Sequence, residues 1–80
     1  MKTFRLTISR VDMAVFDDEV VSVTLPGMAG EMTLMADHTA IISPLKAGNI
    51  TVKREDGDEE SITIESGTLE MSNNIATVLI

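Results

Sequence analysis

The stretch Gly30–Gly48, GEMTLMADHTAIISPLKAG, decides the fold. Met32, Leu34 and Ala36 alternate with Glu31, Thr33 and Met35, a period of two that marks a half-buried strand. Asp37, His38 and Thr39 break the pattern as a turn. Ala40, Ile41 and Ile42 follow as an unbroken apolar triplet. Neighbours on a strand point to opposite faces, so the triplet places apolar groups on both. One face of a small antiparallel sheet normally meets water, so the second apolar face has to be covered by the chain itself or by a partner. Pro44 has no N–H to give to a ladder and is expected to end or kink this strand. Leu45, Lys46, Ala47 and Gly48 lead into the next.

The same period runs outward in both directions. Thr3–Val11 alternates Phe4, Leu6 and Ile8 with Arg5, Thr7 and Ser9. Asp12–Asp18 breaks the alternation, with Phe16 expected to turn inward as an anchor. Glu19–Leu25 is valine-rich and suits a pleated surface, and Pro26-Gly27 reads as a turn closed by Gly30. Asn49–Glu55 and Glu60–Glu65 alternate on either side of Asp56-Gly57, a type I′ hairpin signal. Gly67 turns the chain into Leu69 and Met71. Asn73-Asn74 suits left-handed turn positions, and Ile75–Ile80 is apolar on both faces except at Thr77. No segment holds a helical period. Short strands with turns every eight to twelve residues predict an all-β, flattened β-sandwich or barrel of about eight to ten short strands.

The chain has 80 residues, so one domain over 1–80 is expected. Its net charge of −7 argues against nucleic acid and anionic membrane surfaces, which attract basic patches. It has no cysteine, which excludes disulfides and thiolate metal sites. No apolar run reaches the roughly 20 residues of a membrane helix, and the N-terminus has no secretory pattern.

The sequence offers little chemistry. His38 is the one histidine, too few for a zinc site and without a triad partner. It reads as a turn residue, an interface residue or a base. Asp56, Asp58 and Glu60 alternate like calcium ligands, but Gly57 is second in that run where a calcium loop needs glycine sixth. The acidic run Glu55–Glu60 reads as a solvated turn. No cofactor is expected. Met32 and Met71 read as core fillers, and Met28 as exposed. A swinging-arm carrier domain would need a lysine at its hairpin tip, and Asp56-Gly57-Asp58 has none.

Gly27-x-x-Gly30-Glu31-x-Thr33-Leu34, His38-Thr-Ala-Ile-Ile42 and Leu45-Lys-Ala-Gly48 together resemble the N-terminal β-sandwich of the F-type ATP synthase epsilon subunit. Phe4-Arg-Leu-Thr-Ile8 resembles that family's opening strand, Phe16 with Val20, Val21 and Val23 its second, and Ile64-Glu-Ser-Gly67-x-Leu69-Glu-Met its late turn and strand. The resemblance runs in order along the whole chain. It departs at Asp37, where the family usually has glycine or a similar turn residue, and at Thr68, which replaces a glycine. Family members usually continue into two C-terminal helices. This sequence stops at Ile80, so the helices' inhibitory and ATP-binding roles are not expected of it. The resemblance implies a non-catalytic rotor subunit that couples the gamma subunit to the c-ring in proton-driven ATP synthesis. It would be peripheral, on the cytoplasmic face of the inner membrane if bacterial. It implies a gamma-facing set of Arg10, His38 and Ser43, to which Ile42 is added from the two-faced triplet, and a c-ring-facing loop of Ala29, Gly30 and Glu31. The other reading is an acidic β-sandwich interaction module unrelated to ATP synthase.

Overall fold

A computed structural model describes residues 1–11 and 13–80. Among the described residues nine strands form: β1 (Phe4–Arg10), β2 (Met13–Val20), β3 (Ser22–Gly27), β4 (Gly30–Met35), β5 (Ile41–Leu45), β6 (Gly48–Lys53), β7 (Glu59–Ile64), β8 (Gly67–Ser72) and β9 (Ile75–Leu79). There is no helix among the described residues. The hydrogen-bonded order is β2-β1-β9-β8-β5-β3-β6-β7, with β4 on the other edge of β3. One pair alone, Gly27 with Leu45, joins β3 to β5. The sheet folds over at that corner. One half is β2-β1-β9-β8-β5 and the other β4-β3-β6-β7, an all-β sandwich as expected.

Alternation fills the space between the halves. Phe4, Leu6 and Ile8 of β1, Val23 and Leu25 of β3, Ile50 and Val52 of β6, Leu69 and Met71 of β8, and Ala76 and Val78 of β9 form one buried cluster. Met32 packs against it and Met28 is exposed. The described residues bury no polar or charged side chain, so this core rests on apolar burial alone.

Several turns differ from the sequence reading. Pro26 and Gly27 are not a turn: β3 runs through them, pairing Pro26 with Glu31 and Gly27 with Gly30, and the chain reverses at Met28-Ala29. Pro44 does not end its strand, since β5 continues to Leu45. The reason is the same for both prolines. The Pro26 carbonyl accepts from Lys46 N–H at 2.9 Å and the Pro44 carbonyl from Met28 N–H at 3.1 Å. Each proline therefore turns its polar groups away from its ladder partner, where no N–H is needed. Glu19–Leu25 is two strands, broken by a bend at Val21. The disturbed alternation before it is a bulge within β2, because Ile8 pairs with Phe16 but Ser9 pairs with Ala14. Val15 is the extra residue, and Phe16 still points inward, 5% exposed. Asp12, read as the start of that break, lies outside the described residues. At Asp56-Gly57 only Gly57 has positive φ, +90°, and its N–H donates to Arg54 O at 3.0 Å. The connection is a type I turn with a following glycine, not type I′. Asn73 and Asn74 do take positive φ, 52° and 60°, as a type I′ turn requires.

The side of the sandwich between β2 and β7 is closed by Arg54. Its Nε donates to Asp18 Oδ2 on β2 at 3.1 Å, its second nitrogen reaches Glu60 Oε1 on β7 at 3.3 Å, and its guanidinium lies 5.0 Å from the Phe16 ring. Arg54, and then the Glu19 backbone N–H, hold the Asp18 carboxyl below its ordinary range. A carboxylate with a depressed folded pKa stabilises the fold above its unfolded pKa of about 3.9 and loses that contribution as pH falls through the folded value. The thermal midpoint should therefore hold steady from neutrality to about pH 5 and fall below about pH 4. Lys2 and then Asn74 hold the Asp37 carboxyl low in the same way, so Asp18→Asn should reduce that acid slope in part. An unchanged slope in the variant would show that Asp18 is not the group responsible.

Candidate interaction surface

The outward face of the β2-β1-β9-β8-β5 half is assembled by register. Ile42 pairs with Glu70, Glu70 with Thr77, Thr77 with Thr7 and Thr7 with Asp17. Beside this row run Pro44, Thr68, Leu79, Ser9 and Ala14, each paired to the next. Ile75 lies on the same face, paired to Ser72 and Arg5. Ile42, Ile75 and Leu79 are exposed, Ile42 to 72%. Threonines and serines fill most positions between them. In a chain of charge −7, this face carries Glu70 in its middle and the Arg5–Asp17 pair, N–O 2.8 Å, toward β2. Three exposed aliphatic side chains thus share one sheet face with polar residues set between them.

The residues expected to meet partners fall into two groups. Ile42 stands on this face, as the two-faced triplet requires. Ser43 turns the other way, half-buried, its hydroxyl donating to the Pro44 carbonyl at 3.1 Å. His38 lies in the exposed connection just before β5, its Nδ1 2.7 Å from Thr39 O. Arg10 is not near them. It ends β1, at the rim shared by Met13, Leu79, Gly67 and, through Leu45 and Gly27, the Met28-Ala29 reversal. Arg10 thus lies at the same end as Ala29, Gly30 and Glu31, all exposed, while His38 lies at the opposite end. That first end also carries exposed Val11, Met13 and Met28. No set of three or more metal-ligating side chains gathers among the described residues.

Sequence reading did not find Leu79 and Ile75. Their apolar character was visible in a segment apolar on both faces, but only the β5-β8-β9 register brings them onto the Ile42 face. Asn74 was read as a turn residue alone. Its amide also ties the Asp37 loop, accepting from Asp37 N–H at 2.6 Å and donating to Asp37 Oδ1 at 2.9 Å.

Residues 3–80 match the family described as ATP synthase, Delta/Epsilon chain, beta-sandwich domain. The chain belongs to this family. The ATP synthase epsilon chain of Bordetella petrii is 38% identical over 79 residues, covering 99% of this chain and 56% of its own length. That of Latilactobacillus sakei is 40% identical over 80 residues, with 98% and 55% covered. The chain therefore spans a little over half the length of these family members. Its fold superposes on a chain of the Euglena gracilis mitochondrial ATP synthase OSCP/F1/c-ring structure with a TM-score of 0.91 at 23% identity, covering 96% of this chain and 49% of that one. A chain of the Tetrahymena thermophila mitochondrial ATP synthase central stalk and c-ring gives 0.77 at 9% identity, covering 94% and 60%. At those identities the likeness is one of fold. Family membership removes the reading of an acidic module unrelated to ATP synthase.

Proposed function

We propose that this chain is the epsilon-type sandwich of an F-type ATP synthase rotor, a non-catalytic piece that links the gamma subunit to the c-ring. The observation that carries this reading is the open sheet face on which Ile42, Ile75 and Leu79 are exposed. It places three exposed aliphatic side chains on one face of a chain that belongs to the ATP synthase delta/epsilon sandwich family. Gamma would lie along this face, from His38 past Ile42 and the Ser43 backbone toward Arg10. The Ala29-Gly30-Glu31 reversal, at the Arg10 end, would meet the polar loops of the c-ring. A two-layer sheet is stiff, which suits a joint that has to turn without slipping. The chain would then be peripheral to the membrane, on the cytoplasmic side in a bacterium, and would share in proton-driven ATP synthesis only through the complex.

Co-purification with a gamma subunit from the same source, followed by size-exclusion chromatography, tests the reading. A stoichiometric complex supports it, and a folded chain that stays apart overturns it. Ile42→Asp should weaken gamma binding about tenfold or more, the effect of removing an interface anchor. Its thermal midpoint should fall by no more than about 4–8 °C, because the cost is that of a strand-surface change opposite Glu70, about 1 kcal/mol, and not that of a core residue. A large loss of midpoint would mean that Ile42 belongs to the core.

A further inference from the structure

We propose that Asp37 and Asn74 are a positioning pair that holds the segment from His38 to Ile42 in the shape its partner meets. The proposal rests on the reading of His38 and Ile42 as partner-facing. Residues 37–40 lie in no strand, and the His38 N–H makes only a long 3.3 Å bond to Met35 O. Little in the backbone therefore fixes the path from β4 to β5. Asn74 supplies what is missing. Its side-chain carbonyl takes the Asp37 N–H at 2.6 Å, and its amide gives a hydrogen to Asp37 Oδ1 at 2.9 Å. Lys2 holds the other carboxylate oxygen. The two-bond tie locks Asp37 at φ 67°, a conformation that aspartate tolerates better than most residues.

The tie joins two places that the register makes neighbours. The Asn73-Asn74 turn links β8 to β9, and β8 is the strand against which β5 lies, Ile41 opposite Met71 and Ile42 opposite Glu70. Fixing Asp37 to Asn74 thus fixes the start of β5 against its own ladder. It also fixes His38, whose Nδ1 gives its hydrogen to Thr39 O at 2.7 Å. In the neutral ring that bond leaves Nε2 as the acceptor for a partner donor. The turn itself does not require this side chain at position 74, since glycine serves equally well in a type I′ turn.

That separation makes the test clean. Asn74→Gly keeps the turn and removes the tie. Asn73→Gly changes the adjacent turn position and keeps it. Asp37→Asn keeps the oxygen that accepts from Asn74 but loses both the charge and the acceptor that hold Lys2. Gamma binding and amide hydrogen exchange are measured for all three and for the parent chain. Asn74→Gly should speed exchange at Asp37 and weaken gamma binding about fivefold, the effect of having to order a loosened segment on binding. Asn73→Gly should bind like the parent, and Asp37→Asn, which keeps the Asn74 tie but loses Lys2, should lose less binding than Asn74→Gly. Parent-like binding by Asn74→Gly, beside normal parent binding, would overturn the positioning role alone. A parent chain that does not bind gamma would overturn the partner reading and the positioning role with it, and the exchange rate at Asp37 would still report whether the tie exists.

Discussion

Phe16→Ala should lower stability by about 3 kcal/mol, the lower end of the range for truncating a buried phenylalanine. A chain of 80 residues has roughly 4–12 kcal/mol in all, so this one ring holds a large share. At about 4–8 °C per kcal/mol in a domain of this size, the thermal midpoint should fall by at least about 12 °C. The lower end applies because β2 is an edge strand and can settle partly into the space. Phe16 is nevertheless 5% exposed. The bulge at Val15 keeps it turned inward, and Arg54 lies over its ring, so the phenyl group seals the side on which no ladder joins β2 to β7. A double-mutant cycle with Arg54→Ala should give a coupling of about 0.5–1 kcal/mol, the strength of a partly exposed cation–ring contact. Loss of less than about 1 kcal/mol in Phe16→Ala would mean that the β2 side is not sealed by this ring.

How legible such features were depended on how local their causes are. Phe4, Leu6 and Ile8 announce β1 because alternation is a property of neighbouring residues, and Asn73-Asn74 announces its turn because positive φ is a property of those residues themselves. Pro26-Gly27 misled for the opposite reason. The dipeptide favours a turn, but Glu31 and Gly30 pair across from it, and Lys46 takes the carbonyl that a turn would have used. Pro44 was misread because its fate depends on which side of β5 faces β8. The interaction face was half legible. Ile42 stood out as apolar on a second strand face, while Leu79 and Ile75 join it only across β8. Arg54 gave little signal. Glu60, 6 residues ahead, lies across the Asp56-Gly57 hairpin, but Asp18 lies 36 residues behind, and nothing in a local window links it to Arg54. The split of the expected gamma-facing residues, with Arg10 at one end and His38 at the other, is likewise a fact of register.

Gly27→Ala should cost about 2 kcal/mol, and Gly27→Val more, although the glycine needs no unusual backbone conformation there. The cause is space. A Cβ at Gly27 would stand 2.7 Å from the Gly30 carbonyl oxygen and 2.4 Å from the Met32 terminal methyl. The methionine can swing away, but the carbonyl belongs to the strand that pairs with Gly27 and cannot move without spreading β3 from β4. Gly27 is also the residue through which the two halves of the sandwich are joined, by its pairing with Leu45. Any shift there is passed on to the corner, to the Met28 N–H bonded to Pro44 O, and to the exposed Ala29-Gly30-Glu31 reversal. The midpoint should fall by about 8–16 °C in Gly27→Ala. Gly30→Ala provides the contrast. A Cβ there meets nothing within 4 Å, so the cost comes only from its φ of +140°. The two variants should also differ in kind. Gly27→Ala should change the amide chemical shifts of Leu45 and Lys46 across the corner, whereas Gly30→Ala should leave them in place. A Gly27→Ala chain with the parent's midpoint and unchanged shifts at Leu45 would show that the corner has room for a side chain, and that the fold-over of the sheet does not depend on glycine there.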